Sequence, residues 1–264
     1  MVYIEKEIFN FYNYKTVFYN SLTDKEVVNY TDEPSSIERM VAKHDHMKNL
    51  QIIPLEPTVE QYERLKEFNS LILDIKNNYI NDCSLYVEHG AVFNKDKALN
   101  SIFEKSKEAT KKFIMKVLKP SFKKLRTEKE LSGFIHNGKW FDSDADGRLA
   151  LTSAMGLVNI QISAGTPAET ILNEKIVWKM KDNKHFECTY KELQEVCVLI
   201  GKMVADAFKT EGKMEQALSK YSIEELLTLK ELEDIRIFSK SVSDKTLDLK
   251  EVFEQTFKEV QNGK

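Results

Sequence analysis

Two tight-turn signals, each followed by an amphipathic helix, constrain the stretch from Phe134 to Phe208 more than any other part of the chain. Asn137-Gly138 is the first. Both residues tolerate a positive φ, which a two-residue type I′ hairpin needs. Phe134-Ile135 and Trp140-Phe141 flank it with aromatic and β-branched side chains. Ser143 or Asp144 can cap a following helix, whose apolar positions Leu151, Met155, Val158 and Ile162 recur at helical spacing. Gly165 and Pro167 stop it. Ile176, Trp178 and Met180 then alternate with Val177 and Lys179, Asp182-Asn183 makes the second turn, and Phe186 and Cys188 alternate on the return. Thr189 and Glu192 have capping-box spacing. Leu193, Val196, Cys197, Ile200, Val204 and Phe208 form one apolar helical face. The spacing predicts hairpin, helix, hairpin, helix, with the helices covering the apolar side of the hairpins and both tryptophans near the core.

Around this centre the sequence predicts an α+β protein dominated by helices, in four regions. Residues 1–56 form an aromatic-rich β segment, in which Tyr3 to Tyr19 fit two short strands with a turn near Asn13. Tyr3, Phe9, Phe11, Tyr12 and Phe18 are candidate docking residues for a partner; the competing reading makes them a core beneath a sheet. Ser36 is placed as the cap of a short helix running to Lys48, and Leu50 to Pro54 as a strand. Residues 57–130 are helical. A first helix is capped by Thr58, and a long one runs from Lys95 to Leu118, spanning about 36 Å before Pro120 limits it. Residues 131–221 hold the central unit, and 222–264 hold terminal helices. Lys209 to Gly212 reads as a break or kink. Ser222 and Glu225 form a capping box, and Ser243 or Asp244 caps a last helix carrying Leu249, Val252, Phe253 and Phe257.

The ordered series Asn-Gly-x-Trp-Phe-Asp-Ser-Asp at Asn137 to Asp144, then Val-Trp-Lys through Glu-Leu at Val177 to Leu193, resembles a small uncharacterised domain found in bacteriophage tail proteins. The resemblance covers Phe134 to about Tyr221, and departs from the pattern at Asp146-Gly147, where a serine or another helix former is expected. A second segment, Pro54 to Thr58 with the helix after it, is similar to segments of phage tail-fibre assembly proteins. That family lends no catalytic residues. The resemblance implies a structural component of a phage or prophage tail, baseplate or fibre, or alternatively a tail-fibre assembly chaperone absent from the finished particle. It implies partners among other tail, baseplate and fibre proteins, multiple copies in a symmetric assembly, and location in the virion.

Chemical motifs do not redirect this expectation. The sequence contains no G-x-S-x-G, Walker, H-E-x-x-H or G-x-G-x-x-G pattern. The expectation is therefore no enzyme, no catalytic residues and no cofactor. Asp142, Asp144, Asp146 and Gly147 match the opening of a calcium loop. Ser153, however, holds the twelfth position where a closing glutamate belongs, so the aspartates read better as helix caps. His44-Asp45-His46 reads as a solvated helix end, since i and i+2 diverge on a helix. Lysines at 105, 107, 111, 112, 116, 119, 123, 124 and 129 invite a nucleic-acid reading. Without interleaved aromatics they read as a solvated face. Net charge is −3, and no apolar run approaches the roughly 20 residues of a bilayer span. Synthesis in the host bacterial cytoplasm without export, no membrane contact, and reduced Cys83, Cys188 and Cys197 are the corresponding expectations.

Overall fold

The computed structural model describes residues 14–55, 95–236 and 246–263, with scattered positions between 58 and 74. Its secondary structure is α+β, as the hydrophobic periods predict. The first sheet has three antiparallel strands, β1 (Tyr14–Asn20), β2 (Lys25–Thr31) and β3 (Met47–Pro54), in the order β2-β1-β3. Helix α1 (Pro34–Lys43) joins β2 to β3. Its first turn is set by Pro34 after Glu33, so Ser36 lies inside the helix and does not cap it. Pro34 lacks an N–H that the first turn would leave unpaired in any case.

The N-terminal docking expectation changes at Phe18. Tyr3, Phe9, Phe11 and Tyr12 lie outside the described residues. Phe18 does not face a partner: it is 3% exposed, and Thr16 beside it on the same strand face is also buried. β1 is moreover the central strand, hydrogen-bonded to a neighbour on both sides. It has no open edge to add to another protein's sheet.

The long helix α2 runs from Lys95 to Leu131, straight through Pro120. Proline inside a helix costs roughly 3 kcal/mol in lost bonding and crowding. Here the apolar spacing carries on across it: Ile114, Leu118 and Phe122 recur every four residues and all are buried. Ion pairing of Arg126 with Glu130 supports the last turns.

The described residues belong to two compact units. One comprises Met1–Lys119 with Leu218–Asp248, the other Pro120–Ala217 with Leu249–Lys264. In the first, the short helix α6 (Ile223–Leu226) opens with the expected capping box. The Ser222 hydroxyl accepts from the Glu225 N–H (3.2 Å) and the Glu225 carboxylate accepts from the Ser222 N–H (2.9 Å). Leu226, Leu227, Leu229 and Leu232 behind it are fully buried. A 3₁₀ turn and the short helix α7 (Glu233–Arg236) follow.

The second unit holds the predicted central arrangement. Hairpin β4 (Phe134–His136) and β5 (Lys139–Phe141) is followed by α3 (Ala145–Ser163). Next come a short helix α4 (Ala168–Leu172), hairpin β6 (Lys175–Lys179) and β7 (His185–Thr189), and α5 (Tyr190–Leu218). The Asn137-Gly138 turn has φ of 48° and 73°, as a type I′ turn demands. Its core is Phe141, Leu151, Ala154, Met180, Cys188, Leu193, Val196 and Ile200, with Trp178 partly buried against them. Trp140 departs from expectation. It is 41% exposed, and its indole N–H donates to the Ser132 carbonyl (3.1 Å). The strand parity buries Phe141 instead, at 0% exposed. The expected break at Lys209 to Gly212 is absent. α5 continues because Met203, Ala207, Met214 and Leu218 keep one buried face through that segment. Helix α8 (Leu249–Gln261) closes this unit, with Phe257 packed against Met203 and Ala207.

Candidate functional site

A polar cluster of the second unit lies where the two hairpins meet the first turns of α5. His136 and Lys139 are register partners beside the Asn137-Gly138 turn, so their side chains share one face of the hairpin. Glu192 and Glu195, three apart, share one face of α5. The two pairs match. The Lys139 ammonium donates to the Glu192 carboxylate (2.7 Å), and His136 Nε2 lies 3.4 Å from a Glu195 carboxylate oxygen. Lys139 also donates to the Glu187 carbonyl (2.9 Å) and lies 3.6 Å from the Cys188 sulfur. Half of the expected capping box is therefore made. Thr189 Oγ1 accepts from the Glu192 N–H (3.1 Å), but the Glu192 carboxylate goes to Lys139.

The electrostatics oppose nucleophilic chemistry at this cluster. Burial raises the Cys188 thiol above its ordinary range, and the neighbouring Lys139 charge only partly opposes that. For Lys139, burial opposes the charged form. The Glu192 carboxylate and the Cys188 sulfur outweigh it, so the amine titrates above its usual value. At neutral pH the thiol keeps its proton and the amine its charge, and neither is a poised nucleophile. What the arrangement does is fasten hairpin β4–β5 to β7 and α5. Lys181 adds to this by donating its backbone N–H to the Trp140 carbonyl (2.8 Å) and its ammonium to Asp142 (3.1 Å). Sequence reasoning passed over Lys139 and Glu195. A lysine directly after an Asn-Gly turn and acids three apart at a helix start were the available signals.

The aspartates of the calcium-like spacing are used separately. Asp144 is the N-cap of α3, its carboxylate accepting from the Gly147 N–H (2.8 Å). Asp142 is taken by Lys181, and Asp146 sits exposed in the first turn. Gly147 lies within the helix. A Cβ there would come within 2.8 Å of the Asp142 backbone oxygen, so glycine permits a close approach and makes no calcium-loop turn. Among the described residues, no three His, Cys, Asp or Glu side chains converge as a metal site. Replacing Asp144 by alanine is expected to cost about 1 kcal/mol through loss of the cap. Titration calorimetry with calcium is expected to give the same featureless trace for both forms. A micromolar site in the wild type that disappears in Asp144→Ala would reverse the assignment.

Other expected features separate likewise. His44 ends α1, and the His44 and His46 rings lie 5.3 Å apart without a third ligand among the described residues. Much of the lysine face of α2 is matched by carboxylates: Lys107 with Glu104, Lys112 with Glu108, Lys116 with Glu67, Lys124 with Glu128 and Lys129 with Glu254. Such pairing reduces the uncompensated charge that phosphate binding needs. A groove of about 1100 Å³ in the first unit is lined by both signs, including Glu60, Arg64, Glu67, Lys105 and Lys112. No helix among the described residues is long and apolar enough to cross a membrane.

No curated protein and no solved structure matches the chain. A protein-family match covers the latter part of α2, the two hairpins, α3 to α5 and the turns after α5. It extends beyond the stretch of the tail-protein resemblance at both ends. Residues 117–236 match the model of the DUF4376 family, described as a domain of unknown function.

Proposed function

We propose that this chain is a structural component of a phage-type tail, at the baseplate or fibre, and works by docking onto neighbouring tail proteins in multiple copies. The tail context comes from the resemblance of Asn137 to Asp144 and Val177 to Leu193. The observation that carries a binding role is the apolar surface of the second unit. Ile135 is 71% exposed, Val177 68%, and Leu149, Leu157 and Ile160 on α3 are each more than half exposed. Exposed apolar side chains are worth most to a protein that covers them with a partner. The Lys139–Cys188–Glu192 cluster supports the same reading, because its groups are held in the protonation states that suit cohesion.

Peptide mass analysis of purified particles tests this. The chain is expected in particles at a fixed ratio to the other tail proteins. Its absence from particles, combined with recovery of fibre subunits on the tagged chain from lysate, would replace the structural reading with that of an assembly chaperone.

A further inference from the structure

We propose that the outer face of α3 is the surface through which two copies of this chain pair, the two α3 helices lying antiparallel across a two-fold axis near Gly156 and Leu157. From Leu149 to Ala164 the sequence carries no charged residue, in a chain that is 31% charged. The inner face of α3 is accounted for by Leu151, Ala154 and Val158, which are buried. The outer face carries Leu149, Leu157 and Ile160, exposed at 66%, 58% and 66%. At helical spacing these three, with Ser153 and Gly156, fall within a sector of about 100°.

Three features select a second copy as the occupant. The first is shape. Turned end over end on itself, the stripe sets Leu149 against Ala164, Ser153 against Ile160, and Gly156 against Leu157. Each large side chain then meets a small one, as interdigitating helix faces require. The second is Gly156. It has no positive φ, and a Cβ there would meet nothing within 4 Å, so nothing inside the chain calls for glycine. Glycine in a helix interior is unfavourable relative to alanine, and close approach of another backbone accounts for it. The third is charge. A partner presenting lysine or glutamate would bury it against this stripe without a counter-charge, whereas a second α3 presents none.

Two such faces together would remove on the order of 1,000 Å² from water, at the lower bound of a specific interface. The pair is therefore concentration-dependent in isolation, and repetition in an assembly would strengthen it. This surface would serve the multi-copy docking proposed above. Its test uses the isolated chain, so the pairing and the tail assignment can fail separately.

The full-length protein is expected to sediment as a monomer–dimer equilibrium over a concentration series. Ile160→Glu places like charges in the contact, and Gly156→Leu blocks the crossing point. Each is expected to weaken the dimer by more than about tenfold. Leucine has the better helix propensity and meets open space, so Gly156→Leu should keep its circular dichroism and a melting temperature no lower than wild type. Leu22→Glu, at an exposed position of the first unit, should leave the dimer intact. A wild-type chain that stays monomeric throughout, or a dimer that persists in both α3 variants, would overturn the pairing.

Discussion

Alanine at Phe141 is expected to destabilise the second unit by about 3–5 kcal/mol, the range for emptying a buried aromatic site. Alanine at its neighbour Trp140 is expected to cost roughly 1–2 kcal/mol, the worth of one hydrogen bond and partial packing. The difference follows from strand parity. Phe141 is 0% exposed and belongs to the core with Leu151, Met180 and Leu193, whereas Trp140 is 41% exposed. Urea unfolding followed by fluorescence measures both variants, because Trp178 remains in each and packs against the same core. Equal losses at the two positions would mean that the hairpin docks with its other face inward.

Replacing Lys139 by methionine is expected to cost about 2–3 kcal/mol at neutral pH, somewhat below the range for breaking a fully buried ion pair. The cost arises at the partner. Glu192 is 14% exposed in its side chain, and its other carboxylate oxygen is buried with no hydrogen-bond partner among the described residues. Without Lys139, that carboxylate would sit in a poorly solvated place uncompensated. The double variant Lys139→Met/Glu192→Met should recover most of the loss, since an apolar pair of similar volume can replace an ion pair. The Thr189 cap survives in both variants because it uses the backbone N–H of residue 192.

The same cluster sets an alkaline limit. Lys139 and Cys188 both titrate higher in the folded chain than their ordinary values. Their contribution is full below the unfolded values, about 8.5 for a thiol and 10.4 for an amine, and is lost as pH rises through the folded ones. Wild-type stability should therefore fall above about pH 8.5, and the further fall that Lys139 adds above about pH 10.4 should be absent from the double variant. A double variant as unstable as Lys139→Met, or an alkaline fall unchanged by it, would remove the cluster from the account.

Local chemistry made several elements legible from sequence. Asn137-Gly138 forms its turn, and Ser222 with Glu225 forms its box, because each depends on residues a few positions apart. The apolar spacing of α3 likewise placed Leu151 and Val158 inside. The errors arose where tertiary packing decides. Pro120 looked like a helix end, but Leu118 and Phe122 bury across it. Gly212 looked like a break within a helix whose buried face continues past it. The three-residue strand β5 is too short for alternation to say which of Trp140 and Phe141 turns inward. Lys139 and Glu192 are 53 residues apart, and only the docking of hairpin on helix brings them together. Phe18 reads from the sequence equally as a docking or a core aromatic, and the placement of β1 between two strands buries it.

The chain leaves the second unit at Ala217 and returns to it at Leu249. During synthesis the hairpins, α3 and α5 emerge first, and Met203 and Ala207 then wait for Phe257 to cover them. Helix α8 thus acts as a latch, and the unit gains that cover only once this later segment has emerged. An interval with that apolar seam uncovered invites association with other chains. Closing so long a loop adds little further entropic cost, because that cost grows only logarithmically with length. Timing is consequently the vulnerable step, and a piece cut at residue 221 would keep both hairpins but lack the helix that covers this seam.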